Sequence, residues 1–246
     1  MDAWSYSLLA LAGFAASVLN VLAGGGSFLT LPILIFLGLP AGEANATNRV
    51  GVVAQNLGSV WGFHRERVLE WRWALASGVP ASVGALVGSW LALGMADQHF
   101  RKVLAGLMVA ITLWTILDPL KSSGGRQLRS PWSPLVMVGF LAVGLYGGFV
   151  QAGVGFLVLA VTSFAGLDLL RGNAVKVLNV LMLTLLSLLV FALSGRVHWP
   201  AGLALAAGSL AGGLAGVPLA VYAGQRWLRV IVTVTVLGFA IALWVT

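Results

Sequence analysis

Long apolar runs, separated by short polar or glycine-rich interruptions, cover almost all of this 246-residue chain. A helix needs about 20 apolar residues to span a bilayer. Six runs are of that order and are candidate spans: 44–63, 73–94, 102–118, 172–194, 199–222 and 228–245. Two others, 6–37 and 134–165, do not fit. Each would be about 48 Å long as continuous helix, too long for one upright crossing of a roughly 30 Å core and too short for two. Each is interrupted, the first at Gly24-Gly25-Gly26-Ser27 and the second around Gln151-Ala152-Gly153-Val154-Gly155. The pattern predicts a helix of about 18 residues, a break and a half-helix of about 11 in each, a broken or re-entrant element of the kind tolerated only where protein or water surrounds it.

The two odd runs occupy corresponding places. Displaced by 128 residues, the second half lies over the first: Phe28 falls on Phe156, Gly38 on Gly166, Asn45 on Asn173, Gly84 on Gly212, Gly88 on Gly216 and Arg101 on Arg229. The register slips by at most one residue, near Arg67/Arg196. The chain therefore reads as a first transmembrane repeat (1–120), an inter-repeat loop (121–133, with Gly124-Gly125 and Pro131) and a second repeat (134–246). An internally duplicated apolar chain with glycine breaks at matching positions is a pattern of secondary transporters. The expected fold is an all-α polytopic membrane protein of two homologous halves, inverted repeats, with about 8–10 membrane segments.

Composition agrees. The chain is 59% hydrophobic and 9% charged, with mean hydropathy +0.98, against about 25% charged in a soluble domain. Its net charge of +7 fits cytoplasmic basic loops rather than nucleic acid. If each broken segment crosses once, Lys and Arg divide seven against seven. If each returns to its starting side, they divide ten against four. The second division is a positive-inside bias, so both termini are expected outside. Trp71, Trp73, Trp114, Trp132, Trp199, Trp227 and Trp244 fall at or near predicted span ends, where indoles anchor. The absence of cysteine excludes disulfides and thiolate metal sites. The N-terminus lacks a basic n-region, so its apolar run reads as a retained membrane segment.

Candidate chemistry sits at the breaks and at the polar starts of the next spans. Gly24, Gly25, Gly26 and Ser27 would open a half-helix near Phe28, and N–H groups freed there attract anions; the same glycines could serve only packing or a kink. Asn45, Thr47, Asn48, Arg49, Gln55 and Asn56 open the next span of the first half, and Asn173, Lys176 and Asn179 that of the second. An intramembrane cation among amides is a substrate-site candidate, while a shallow one would snorkel to the headgroups. Gln151, in the second break, has no interfacial explanation. The seven acids (Asp2, Glu43, Glu66, Glu70, Asp97, Asp118 and Asp168) all lie at span ends or in loops. A cationic substrate and a carboxylate proton relay are therefore not expected. No histidine or acid at membrane depth could activate Ser27, so no catalytic group, metal site or cofactor is expected.

Together, Ala23-Gly24-Gly25-Gly26-Ser27, Ala46-Thr47-Asn48-Arg49 and Ala174-Val175-Lys176-Val177-Leu178-Asn179 resemble the sulfite exporter TauE/SafE family. The resemblance covers essentially the whole chain. It implies a permease of the bacterial plasma membrane that exports small sulfur-containing anions such as sulfite, sulfoacetate or other organosulfonates. By motif it carries over Gly24, Gly25, Gly26, Ser27, Asn48, Arg49, Gln151, Gly153, Lys176 and Asn179 as pore candidates. Export would proceed by alternating access; a passive anion channel, or a carrier of another small organic or inorganic anion, stays open. The expected partners are the anion and the lipid bilayer, with a homo-oligomer left open and nucleic acid excluded.

Overall fold

A computed structural model describes residues 1–116 and 128–222. Its helices are α1 (Ala3–Ala23), α2 (Ser27–Phe36), α3 (Ala41–Arg65), α4 (Trp71–Leu93), α5 (Asp97–Ile116), α6 (Pro134–Phe149), α7 (Val154–Phe164), α8 (Leu169–Leu193) and α9 (Trp199–Tyr222). Among the described residues there is no strand. Both odd runs are broken as expected, into α1–α2 and α6–α7. Five of the six candidate spans are helices within a few residues of the expected bounds; the sixth, 228–245, lies outside the described residues.

The breaks and ends have local causes. Gly24 closes α1 at φ 96°, donating its N–H to the Asn20 carbonyl. Gly38 and Gly166 end α2 and α7 at φ 98° and 91°. The next N–H in each case reaches back across the last turn, Leu39 to the Leu34 carbonyl and Leu167 to that of Thr162, the hydrogen-bond pattern of a Schellman stop. Asp168 caps α8 through the N–H groups of Leu170 and Arg171. By length and composition α1, α4, α8 and α9 can each cross a membrane. α3 is as long as α8 but carries a polar first half, and Asn45, Thr47, Asn48, Arg49, Gln55 and Asn56 are all buried.

Contacts at the two ends fix the direction of each helix. At one end Arg171 pairs with Glu70 at 3.3 Å and the Tyr222 hydroxyl meets Glu66. There a cleft of about 320 Å³ brings Glu70, Arg72 and Trp73 beside Ser130, Pro131 and Trp132. At the other end the Gly42 N–H donates to Asp97 and that of His198 to the Thr47 hydroxyl. Hence α3 and α9 run one way and α4 and α8 the other. The Arg129 N–H, just before α6, donates to the Ala165 carbonyl just after α7, at 2.8 Å. So α6–α7 enters from the first end and returns to it. The α1–α2 hairpin sits at the opposite end, where Leu9, Leu34, Leu39, Ala44, Ala201 and Leu205 share one buried cluster.

Each hairpin packs chiefly on a helix of the other half: α1 on α9 and α6 on α4. Between them, α3 packs on α9 and α8, and α8 on α4. The contacts between hairpin and helix are made by small residues four apart. A methyl group at Gly84 or Gly88 would strike the α6 backbone at Leu141 or Leu145, and one at Gly144 or Gly148 the α4 backbone at Ala81 or Ala85. Gly208 and Gly212 lie as closely on Ala10 and Phe14 of α1. Within a bilayer, where apolar burial gives no bias, such close backbone approach drives association.

Two expectations need correction. Trp73 is only 7% exposed and packs edge-on against Phe140 at 5.9 Å, because the start of α6 covers it; it is not an interfacial anchor. Trp71, Trp132 and Trp199 are exposed as expected; the side chains of Trp114, Trp227 and Trp244 lie outside those described. Arg49 and Lys176, counted above among the two sides' charges, lie in the interior at 0% and 1% exposure.

Candidate functional site

The two breaks meet. Gly155 stacks on Gly24 so closely that a methyl group there would stand 2.5 Å from the Gly24 carbonyl oxygen. The Phe28 and Phe156 rings beside them are 6.2 Å apart. Gly153, at φ 76°, is the N-cap of α7 and faces Phe28. The break N–H groups are partly engaged already. That of Gly26 donates to the Asn20 side-chain oxygen at 3.2 Å, and that of Gln151 to the Asn45 side-chain oxygen at 3.1 Å. Ser27 is buried at the start of α2.

A break frees carbonyls at the end of one helix as well as N–H groups at the start of the next, and here the carbonyls hold the cations. Arg49 of α3 donates through Nη1 to the Gly147 carbonyl and to Gln151 Oε1, both at 3.0 Å, and through Nη2 to the Gly148 carbonyl at 2.7 Å. Its guanidinium lies 4.7 Å from the Phe191 ring centre. Lys176 of α8 donates to the Asn20 carbonyl at 2.6 Å and reaches that of Val21 at 3.4 Å. Each cation sits at the negative end of a helix dipole, and each helix end belongs to the other half. The amides follow the same rule: Asn45 donates to the Phe149 carbonyl at 3.0 Å and Asn173 to that of Val21. Both residues of the second pair are displaced by 128 from their counterparts in the first.

The remaining candidates divide. Asn48 accepts from the Thr30 hydroxyl of α2 at 2.6 Å, so it joins the break. Asn179 donates to the Ala74 carbonyl and the Ser77 hydroxyl of α4; it ties α8 to α4 and is not brought to the break. Asn20, Thr30, Thr184 and Phe191 stand at the site without having been singled out. Thr184 donates to Gln151 Oε1 at 3.5 Å. A polar residue within an apolar run marks Thr184, but an isolated phenylalanine in an apolar helix gives no signal.

Among the described residues the site is rich in donors and has no carboxylate. Six of the seven acids lie among the described residues and none is buried; the seventh is Asp118. Among the described residues neither Arg49 nor Lys176 has an ion pair. Among the described residues five buried donors lack a partner, Arg49 Nε, Asn48 Nδ2, Gln55 Nε2, Trp73 Nε1 and the Ser187 hydroxyl, against two buried acceptors, Asn173 Oδ1 and Asn179 Oδ1. Native interiors leave few such groups, and here the surplus suits a ligand that accepts hydrogen bonds and carries negative charge.

Spanning helices, two re-entrant hairpins meeting at their breaks and a cationic interior define a multi-pass membrane transporter. The family model described as Sulfite exporter TauE/SafE matches residues 9–243, and the chain belongs to that family. It is 28% identical over 232 residues to a "Probable membrane transporter protein" of Haemophilus influenzae, covering 93% of this chain and 90% of that one. It is 29% identical over 226 residues to "Probable membrane transporter protein YfcA" of Escherichia coli K12, covering 91% and 82%. It is 26% identical over 241 residues to "Probable membrane transporter protein ORF9" of a Sinorhizobium species, covering 96% and 91%. No solved structure matches the chain.

Proposed function

We propose that the protein exports small sulfur-containing anions, such as sulfite, sulfoacetate or other organosulfonates, across a bacterial plasma membrane by alternating access between two inverted repeats. The observation that carries this reading is the pair of buried cations with no buried acid beside them among the described residues. A charge at membrane depth costs several kcal/mol, about 2.5–3.5 on insertion scales, and helix-end carbonyls offset only part of that. An anion would complete the balance, and the unpartnered donors of Arg49 and its neighbour Asn48 would meet its oxygens. The opposed directions of α3 and α8, and of α4 and α9, support the inverted repeat. The family match supports the sulfur-anion class. The backbone-to-backbone contact of the two breaks, with Phe28 and Phe156 beside it, supports a carrier over an open channel.

A negative cell interior drives a monovalent anion outward by about 2.3 kcal/mol per 100 mV, so export needs no coupled proton. The test is flux of labelled sulfite and small sulfonates in proteoliposomes under a potential of either sign. Saturable, potential-driven flux with counterflow is expected. Flux without saturation or counterflow would mean a channel. Movement of only neutral or cationic solutes would overturn the anion reading.

A further inference from the structure

We propose that Phe191 is a positioning residue for Arg49, holding the guanidinium by its face so that its edge stays available to the transported anion; this rests on the anion-transport reading above. A guanidinium carries five N–H donors in one plane. Both Nη1 donors are used, by the Gly147 carbonyl and Gln151 Oε1, and one Nη2 donor is used by the Gly148 carbonyl. One Nη2 donor and the Nε donor are left, and Nε is buried without a partner. Donors on adjacent guanidinium nitrogens form the fork that takes two oxygens of an oxyanion.

How the rest of the group is held decides whether that fork stays usable. A carboxylate beside Arg49 would occupy edge donors and cancel the charge. An aromatic face does neither. It attracts the cation through the ring quadrupole and stops the plane from tilting out of line, which the in-plane hydrogen bonds resist poorly. Phe191 meets this geometry: the guanidinium carbon is 4.7 Å from its ring centre, and the residue is 2% exposed, beside a fully buried arginine. It reaches Arg49 from α8 of the opposite half. Phe63, displaced by 128 from Phe191, is equally buried but packs among Val21, Leu22, Ala174, Val177 and Val217, which makes it the matched control for packing alone.

The test compares Phe191→Leu, Phe191→Met, Phe191→Tyr and Phe63→Leu in proteoliposomes with labelled sulfite. Phe191→Leu and Phe191→Met, which lose the ring face, should raise KM tenfold or more with Vmax within about twofold. Phe191→Tyr should keep the wild-type KM, and so should Phe63→Leu. A wild-type KM in Phe191→Leu or Phe191→Met would overturn the proposal, as would a fall in Vmax alone. A thermal-unfolding cycle of Phe191→Leu, Arg49→Met and the double variant tests the contact without transport. The loss of Tm from Phe191→Leu should shrink by half or more when Arg49 is already Met; additive losses would overturn the proposal. If wild-type protein moves no sulfur anion while the cycle still shows coupling, the anion reading fails and the Phe191–Arg49 contact stands.

Discussion

At the scale of single residues, the buried cations separate transport from stability. Replacing Lys176 by Met removes one donor each from the Asn20 and Val21 carbonyls, which keep the Gly24 N–H and the Asn173 amide, and it also removes the cost of burying a charge. No buried acceptor is orphaned, so Lys176→Met should unfold within a few degrees of wild type. Its flux should fall at least about tenfold, since a hydrogen bond to a charged group is worth about 1.5–3 kcal/mol and about 1.4 is a factor of ten. Equal loss of Tm and flux would count against a transport role. Arg49→Lys should fail as well, because an ammonium cannot reproduce the fork that serves Gly147, Gly148 and Gln151 together. At the chain start, the hydroxyl and N–H of Ser5 hold the Asp2 carboxyl below its usual value of 3.8. The folded pKa is depressed, so this cap is intact above that value and is lost as pH falls through the lowered one. Hydrogen exchange of the first α1 amides should quicken there relative to Asp2→Asn, which caps without titrating. Arg49, Lys176 and Gln151 were legible in the sequence because charge and amides are conspicuous in apolar runs. Asn20, Thr30 and Phe191 were not, because their roles come from partners far away in the chain.

At the scale of helices, the sequence showed where each element breaks but not what each break faces. Glycines such as Gly38 and Gly166 announce a stop wherever they occur, because the left-handed turn they allow is local. The same residue type inside α4, α6 and α9 serves a different end, close approach to another helix, and nothing local distinguishes the two uses. Gly106 and Gly144 make that difference testable. A methyl group at Gly106 meets nothing within 4 Å, whereas one at Gly144 runs into the Ala81 carbonyl of α4. Gly106→Ala should raise thermal stability by about 0.5–1 kcal/mol, the ordinary gain in a helix interior. Gly144→Ala should lower Tm in the same detergent, because backbone cannot move aside as a flexible side chain can. The re-entrant path was legible only indirectly, through the division of positive charges. The bond between Arg129 and Ala165 supplies the direct geometric reason.

At the scale of the whole molecule, the end holding Arg65, Arg67, Arg72, Arg129 and Arg171 is more basic than the one holding Arg101, Lys102 and Arg196. From the positive-inside tendency we propose that the first end faces the cytoplasm and the N-terminus the outside. The chain has no cysteine, so single cysteines report cleanly. Leu128→Cys should react with an impermeant maleimide only from the cytoplasmic face and Gln98→Cys only from the outer face; the reverse labelling would invert the orientation.

The exchange of partners between halves also bears on how the protein is made. The bonds from Asn173 and Lys176 to the end of α1 span 152 to 156 positions. At roughly 5–20 residues per second of synthesis, the first hairpin leaves the ribosome some 8–30 s before its partners do. During that wait the Asn20 carbonyl keeps only the Gly24 N–H and that of Val21 lacks the Asn173 and Lys176 donors, and lipid offers these carbonyls none. The nascent chain must shelter them against the insertion machinery or in a water-lined path, and a delay between the halves would expose the first hairpin to quality-control proteolysis before the second could clasp it.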